Sequence, residues 1–260
     1  MKKFWSWLWI FLGALYFFVP LFATLRFSLM MKKGELSFLA YEKVITDPAF
    51  LKAFVFSLEM AIFTILVSLL LVVPTAYWVH LRLPQLKPLM EFITMLPFVI
   101  PAIVLVFGLI RAYSSPPLLL TPSPALLVMA YCVLAMPYMY RAVDVGLRAI
   151  DVRALTEAAQ SLGANWPTIL FQVIFPNLRS ALLAGTFLTF AIVIGELTIA
   201  TSLAWPALGP YMAVLGQNRA YEPAALAIMS FVLTWGSILL IEVVGRGRGG
   251  VRSDQLAGTH

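Results

Sequence analysis

The chain has 260 residues, 62% of them hydrophobic and only 12% charged, with a mean hydropathy of +0.93 and a formal net charge of +6. Soluble domains average about 25% charged residues, so this composition excludes an ordinary soluble domain and points to an integral membrane protein. One cysteine (Cys132) and two histidines (His80, His260) exclude a disulfide framework and a Cys/His metal site, and no basic cluster interleaved with aromatic residues marks a nucleic-acid partner.

Charged residues punctuate the chain and delimit its apolar runs. Lys3 to Arg26 encloses 22 uncharged residues, Glu91 to Arg111 encloses 19 and Glu222 to Glu242 another 19, while Lys52 to His80 encloses 27 with Glu59 inside. Each is about the 20 residues that a helix needs to cross roughly 30 Å of hydrocarbon. The run "AYSSPPLLLTPSP" is too rich in Pro and Ser for a single helix, so it reads as a loop, with a fourth span over 125–140. A fifth span is expected over 181–203, with Glu196 inside it, which makes six spans. Prolines Pro74, Pro97, Pro101 and Pro137 lie inside or at the ends of spans, where neighbouring helices must satisfy the freed backbone groups.

Lys and Arg near the span ends set the expected orientation. With the N-terminus inside, eleven basic residues fall on the inner side and seven on the outer, five of those seven in the first outer loop beside Glu35, Glu42 and Asp47. Both termini are therefore expected inside, with Trp5, Trp7 and Trp9 at the inner interface. The 22-residue apolar run exceeds the 7–15 residues of a signal-peptide core and no A-x-A-like site follows it, so it is expected to remain as an uncleaved span. The tail 246–260 reads as flexible and exposed.

The longest inner loop, from Arg141 to Ser180, is semi-polar. Asp151 is a candidate N-cap, and Leu155, Ala159 and Leu162 fall at i, i+4, i+7 on one expected apolar face. Gly163 ends this helix as a left-handed residue would; Asn165 caps a second with Pro167 in its first turn, and Pro176 is expected to break it. Two short helices joined by a glycine turn suit either the lipid surface or a partner protein. The polar face carries both signs and no Lys, which weakens the lipid reading.

The same segment resembles the EAA loop of the permease subunits of ABC importers: EAA, three residues, Gly, nine residues, then I-x-L-P. Glu157, Ala158, Ala159, Gly163 and Pro176 match, with Val173 and Phe175 at the I and L positions, and the likeness extends over roughly 50–244. The resemblance implies an all-α polytopic membrane protein, a six-helix type I importer permease bundle with a cytoplasmic coupling-helix loop. It divides into an N-terminal helix and first outer loop (1–52), a transmembrane domain (53–245) with the EAA loop at 150–178, and the tail (246–260). It implies a place in the cytoplasmic (inner) membrane among lipid. The implied partners are a cytoplasmic ABC ATPase dimer, a second permease subunit, identical or homologous, and an extracytoplasmic substrate-binding protein. In that family the loop inserts into a groove on the ATPase. This chain has no G-x-x-x-x-G-K-[ST] loop, so it needs no cofactor of its own and the ATP is expected on the partner.

Residues 194–233, "IGELTIATSLAWPALGPYMAVLGQNRAYEPAALAIMSFVL", are similar to permeases of the spermidine/putrescine branch, with ferric iron, aminoethylphosphonate and thiamine systems as alternatives. Polyamine permeases often carry Asp where this chain has Gly195 and Glu196. Carboxylates are expensive inside a membrane and mark functional candidates. Glu196 and Glu59 are expected at similar depths below the outer surface and are candidate pathway residues for a cationic cargo. The rival readings are a stand-alone channel or secondary transporter, and a membrane enzyme, for which the sequence offers no Ser/His or Cys/His constellation.

Overall fold

A computed structural model describes residues 2–246, which are helical apart from their connections and one isolated bridge between Lys32 and Glu35. The tail beyond residue 246 and His260 lie outside the described residues. In chain order the helices are α1 (Lys2–Ser28), α2 (Leu39–Ile45), α3 (Pro48–Leu81), α4 (Lys87–Val99), α5 (Ala102–Tyr113) and α6 (Pro124–Arg148). There follow α7 (Val152–Ser161), α8 (Trp166–Thr168), a π-helical turn (Ile169–Ile174), α9 (Phe175–Asn177), α10 (Arg179–Gly195), α11 (Thr198–Ser202), α12 (Leu208–Asn218) and α13 (Glu222–Arg246).

Helices α3, α6 and α10 pack on one another as the centre of the bundle. Small residues let two of their backbones approach: a side chain at Gly146 of α6 would meet Ala181 of α10, and one at Gly185 of α10 would meet Met139 of α6. Such contacts substitute for the hydrophobic effect, which does not operate between helices in lipid. One core cluster joins Val73, Tyr77, Met139 and Val143 to Ile169, Ile174 and Leu178, at the end of the bundle that carries α7 to α9, here called the loop end. A second joins Met60, Leu127, Tyr131 and Val193 to Ile199, toward the far end. α1 stands apart, with its apolar span unburied, resting on α13 through contacts such as Phe17 with Phe231. Trp5, Trp7 and Trp9 are all exposed, as expected of a belt around a helix.

The spans depart from expectation in two places. Among the described residues α1, α3 and α6 are single helices long and apolar enough to cross a membrane, and two bent pairs raise the count to up to five if each is one span; the expected sixth span falls within α13. The expected third span is not continuous. It breaks at Ile100–Pro101 into α4 and α5, bent by 102°, because Pro101 has no N–H to carry the helix onward and Ile100 takes an extended conformation. The expected fifth span, 181–203, is also not continuous: α10 ends at Gly195 and the chain turns at Glu196. By contrast α6 runs eight residues past the expected end of the fourth span at 140, to Arg148. α3, at 34 residues and about 51 Å, is longer than a bilayer core is thick.

Candidate functional site

The α7–α9 segment is built as its caps dictate. The Asp151 carboxylate accepts from the Ala154 N–H at 2.9 Å and starts α7. At the other end Gly163, with φ of +80°, sits in the left-handed region, while Ala164 N–H donates to Ala159 C=O and Gly163 N–H to Gln160 C=O. These two bonds form a Schellman cap, and Gly163 is required by its backbone angle rather than by space, since nothing lies within 4 Å of where a Cβ would stand. Asn165 then caps the next helix, its side-chain oxygen accepting from the Thr168 N–H at 3.0 Å and the Thr168 hydroxyl at 2.7 Å.

Two local expectations need correction. The face that α7 buries is Val152, Thr156 and Ala159, not Leu155, Ala159 and Leu162. Leu162 lies past the last helical residue, so the Gly163 turn rather than helix periodicity sets its direction, and it is 88% exposed. Thr156 takes the buried place because its hydroxyl is fully bonded, donating to Val152 C=O at 2.6 Å and meeting the Tyr77 hydroxyl of α3 at 2.9 Å. Pro176 does not break the second helix. It sits in the first turn of α9, where its missing N–H costs little, and the π turn before it widens the hydrogen-bond register. The chain instead bends by 81° at Leu178, between Trp166–Asn177 and α10.

This segment is held firmly to the bundle. Trp166 packs edge-on against Trp78 and Tyr77, at centroid distances of 4.6 and 6.1 Å, beside the buried Tyr77–Thr156 bond. What it leaves outward is a tip of exposed Glu157, Ala158, Gln160, Ser161, Leu162 and Gly163, with Glu157 paired loosely to Arg153 at 3.8 Å. Ala159, the third residue of the EAA triplet, faces the bundle core. The arrangement presents a largely uncharged knob whose exposed tip carries one carboxylate, Glu157.

At the far end Glu196 is 8% exposed, and both its carboxylate oxygens are taken by backbone: Ile199 N–H donates to them at 2.9 and 3.0 Å and Ala200 N–H to one at 3.1 Å. A carboxylate on the free N–H groups of a first turn is favoured by hydrogen bonding and by the peptide dipoles. The same contact explains why α10 stops where it does. Gly209 of α12 lies so close to the Glu196 carbonyl that a side chain there would collide with it, and Leu208 N–H donates to Ser57 Oγ of α3 at 2.7 Å. The Tyr131 hydroxyl is within electrostatic reach of the Glu196 carboxylate without hydrogen-bond geometry. Nearby, the Tyr211 hydroxyl donates to Asp47 at 3.0 Å; burial first, and then this bond, push the phenol up to about 12.

Glu59 is exposed and lines an open groove of about 490 Å³ with Lys52, Phe56 and Pro206. Glu59 opens onto this groove, while the Glu196 carboxylate is turned onto the backbone of α11. Sequence reasoning missed Thr156, Tyr77 and Gly209. Thr156 carried no signal, being a polar residue on a presumed polar face, and Gly209 was one of fifteen glycines.

Comparison with known proteins fits this architecture. A crystal structure of a bacterial ABC transporter involved in the import of the acidic polysaccharide alginate superposes with a TM-score of 0.71 at 14% identity, covering 95% of this chain and 96% of that one. The crystal structure of an amino acid ABC transporter with histidines superposes at 0.57 and 20% identity, covering 81% of this chain and 98% of that one. Both likenesses are likenesses of fold. No curated protein matches the sequence at a significant level. The family described as binding-protein-dependent transport system inner membrane component matches residues 84–250. That stretch holds α4 to α13 and the whole α7–α9 knob, and on it the chain belongs to this family of inner-membrane transport components.

Proposed function

We propose that the chain is the permease subunit of an ATP-driven ABC importer that forms part of the translocation path and is driven by a separate ATPase docked on the α7–α9 knob. The observation that carries this reading is the knob itself: Glu157, Ala158 and Leu162 face outward, Gly163 fixes the turn, and Ala159 and Thr156 lock the helix to the bundle. A helix locked on one face and bare on the other transmits force, whereas one lying on lipid needs a basic, amphipathic face. Glu157 offers its carboxylate to a basic residue of the ATPase, and Pro176 shapes the return to α10. In this reading the ATPase dimer carries the ATP, a second permease subunit, identical or homologous, completes the path, an extracytoplasmic binding protein delivers cargo, and both termini and the knob lie on the cytoplasmic side.

For cargo we infer a polyamine, from the similarity of residues 194–233 to that branch, and Glu59, exposed in its groove near the far end, is the carboxylate offered to it. Glu196 supports the path through the α11 cap.

The test is co-purification. The wild-type chain is expected to retain the ATPase expressed with it; Glu157→Lys and Gly163→Pro are expected to lose it while still folding in the membrane. ATP-independent flux through the purified chain alone refutes the reading in favour of a channel or secondary transporter. Uptake of labelled spermidine by the assembled system, competed with ferric iron, aminoethylphosphonate and thiamine, decides the cargo.

A further inference from the structure

Four side chains that play no part in docking meet at the loop end of the bundle, drawn from α3, α4 and α6. His80, in the last turn of α3, places Nε2 3.3 Å from Asp144 Oδ1 of α6, and the two side chains are 7% and 9% exposed. The other Asp144 oxygen accepts from Arg148 Nε at 2.8 Å, and Arg148 Nη2 donates onward to Glu91 Oε1 of α4 at 3.0 Å. His80 is itself fixed by Nδ1, 3.1 Å from Ala76 C=O. Three residues before His80, on the same side of α3, Tyr77 meets Thr156 of α7. Thr156 thus meets α3 at Tyr77, and from His80 of the same helix the contacts run through Asp144 and Arg148 of α6 to Glu91 of α4.

Stability alone does not account for this run. A nearly buried carboxylate with two cationic or polar partners gains little over well-packed apolar residues and is retained where it fixes a specific arrangement. What it fixes here is the near end of a jointed pair. α4 is tied at Glu91 near its start, carries a buried Thr94, sets Phe98 edge-on against Tyr138 of α6, and ends where the chain bends by 102° at Ile100–Pro101. α3 meets α7 directly and α6 leads into it through Asp151, while α4 reaches the loop end through the Arg148–Glu91 pair and through Met90, which packs against the loop-end core.

We propose that the Asp144-centred network is the linkage through which displacement of α7 moves α4, with His80, Asp144, Arg148 and Glu91 as positioning residues. The inference rests on the reading that an ATPase drives α7. Such coupling requires an element that both ends bias, and the inference gives that part to the α4–α5 pair, bent at Ile100–Pro101.

The test uses the complex assembled with its ATPase in nanodiscs, with spin labels at exposed Ala154 (α7) or Leu89 (α4), each paired with a label at Leu188 of α10. Distances are measured without nucleotide and after ATP–vanadate trapping. In the wild type both distances shift. In Glu91→Gln and in Arg148→Gln the α7 shift persists and the α4 shift falls at least twofold, and the double variant is no worse than Arg148→Gln alone. Both replaced residues are about half exposed, so folding survives, and ATPase retention checks it. An α4 shift equal to wild type in Glu91→Gln overturns the linkage while leaving the docking reading intact. An α7 label that does not move in the wild type overturns the docking reading and this inference with it.

Discussion

The Tyr77–Thr156 bond allows a prediction in which direction matters. The Thr156 hydroxyl hydrogen is committed to Val152 C=O at 2.6 Å, so the hydrogen between the two hydroxyls, 2.9 Å apart, belongs to Tyr77, and Thr156 accepts it. Thr156→Val keeps the shape of the side chain but strands a buried phenol donor, at a cost of about 1–3 kcal/mol. Tyr77→Phe removes the donor and leaves the Thr156 hydrogen on Val152, so it costs only about 0.5–1.5 kcal/mol. The double variant loses both partners and is expected to cost less than the sum of the two, as for residues in direct contact. The assay is amide hydrogen exchange across α7 in nanodiscs. There Thr156→Val is expected to speed exchange by about 5- to 150-fold, since 1.4 kcal/mol is a factor of ten, and Tyr77→Phe by distinctly less. If Tyr77→Phe opens α7 as far as Thr156→Val or further, the donor assignment and the account of why Thr156 is buried are both wrong.

Further outcomes follow from the far end and the turn. Glu196→Ala strands the Ile199 and Ala200 N–H groups in a buried site, at about 1–3 kcal/mol each; Glu196→Gln, which keeps one acceptor, is expected to cost less, and thermal unfolding of the nanodisc-held chain ranks them. Gly209→Ala drives a methyl into the Glu196 carbonyl and is expected to cost about 1–3 kcal/mol, seen as a lowered Tm with Gly216→Ala, which has open space, as the matched control. Gly163→Ala is expected to cost about 1–2 kcal/mol, the penalty of a left-handed residue with a Cβ; Gly163→Asn costs less, and weakened ATPase retention in the same order is the check.

Much of the α7–α9 segment was legible because its signals are local. Asp151, Gly163, Asn165 and Pro167 act on backbone groups two to five residues away, and a cap leaves its mark at fixed spacing. The buried face of α7 was not legible, because Thr156 is buried by a partner 79 positions away in the sequence. The same limit explains Glu196. Read along the chain it is a charge in the middle of an apolar run, and only the turn onto α11 reveals that its own backbone neighbourhood satisfies it. The broken third span is a milder case: Pro97 and Pro101 were both visible, but whether a proline kinks a span or parts it depends on what packs around it. The Asp144–Arg148 pair did carry a signal that went unused, a carboxylate and a guanidinium at i, i+4 in what proved to be the last turns of α6.

The isolation of α1 has a consequence for how the molecule sits in its surroundings. The 25 residues from Phe4 to Ser28 have no burial within the chain across their most apolar window and lean on α13. Lipid meets most of the α1 surface, and α13 is the helix it leans on. At 1.5 Å per residue it reaches about 38 Å against a hydrocarbon layer of about 30 Å, so it must lie oblique, and more so in thinner bilayers. The interlocked trio of α3, α6 and α10 has no such freedom. A change of membrane thickness is thus taken up at the edge of the bundle, and the centre is shielded from it.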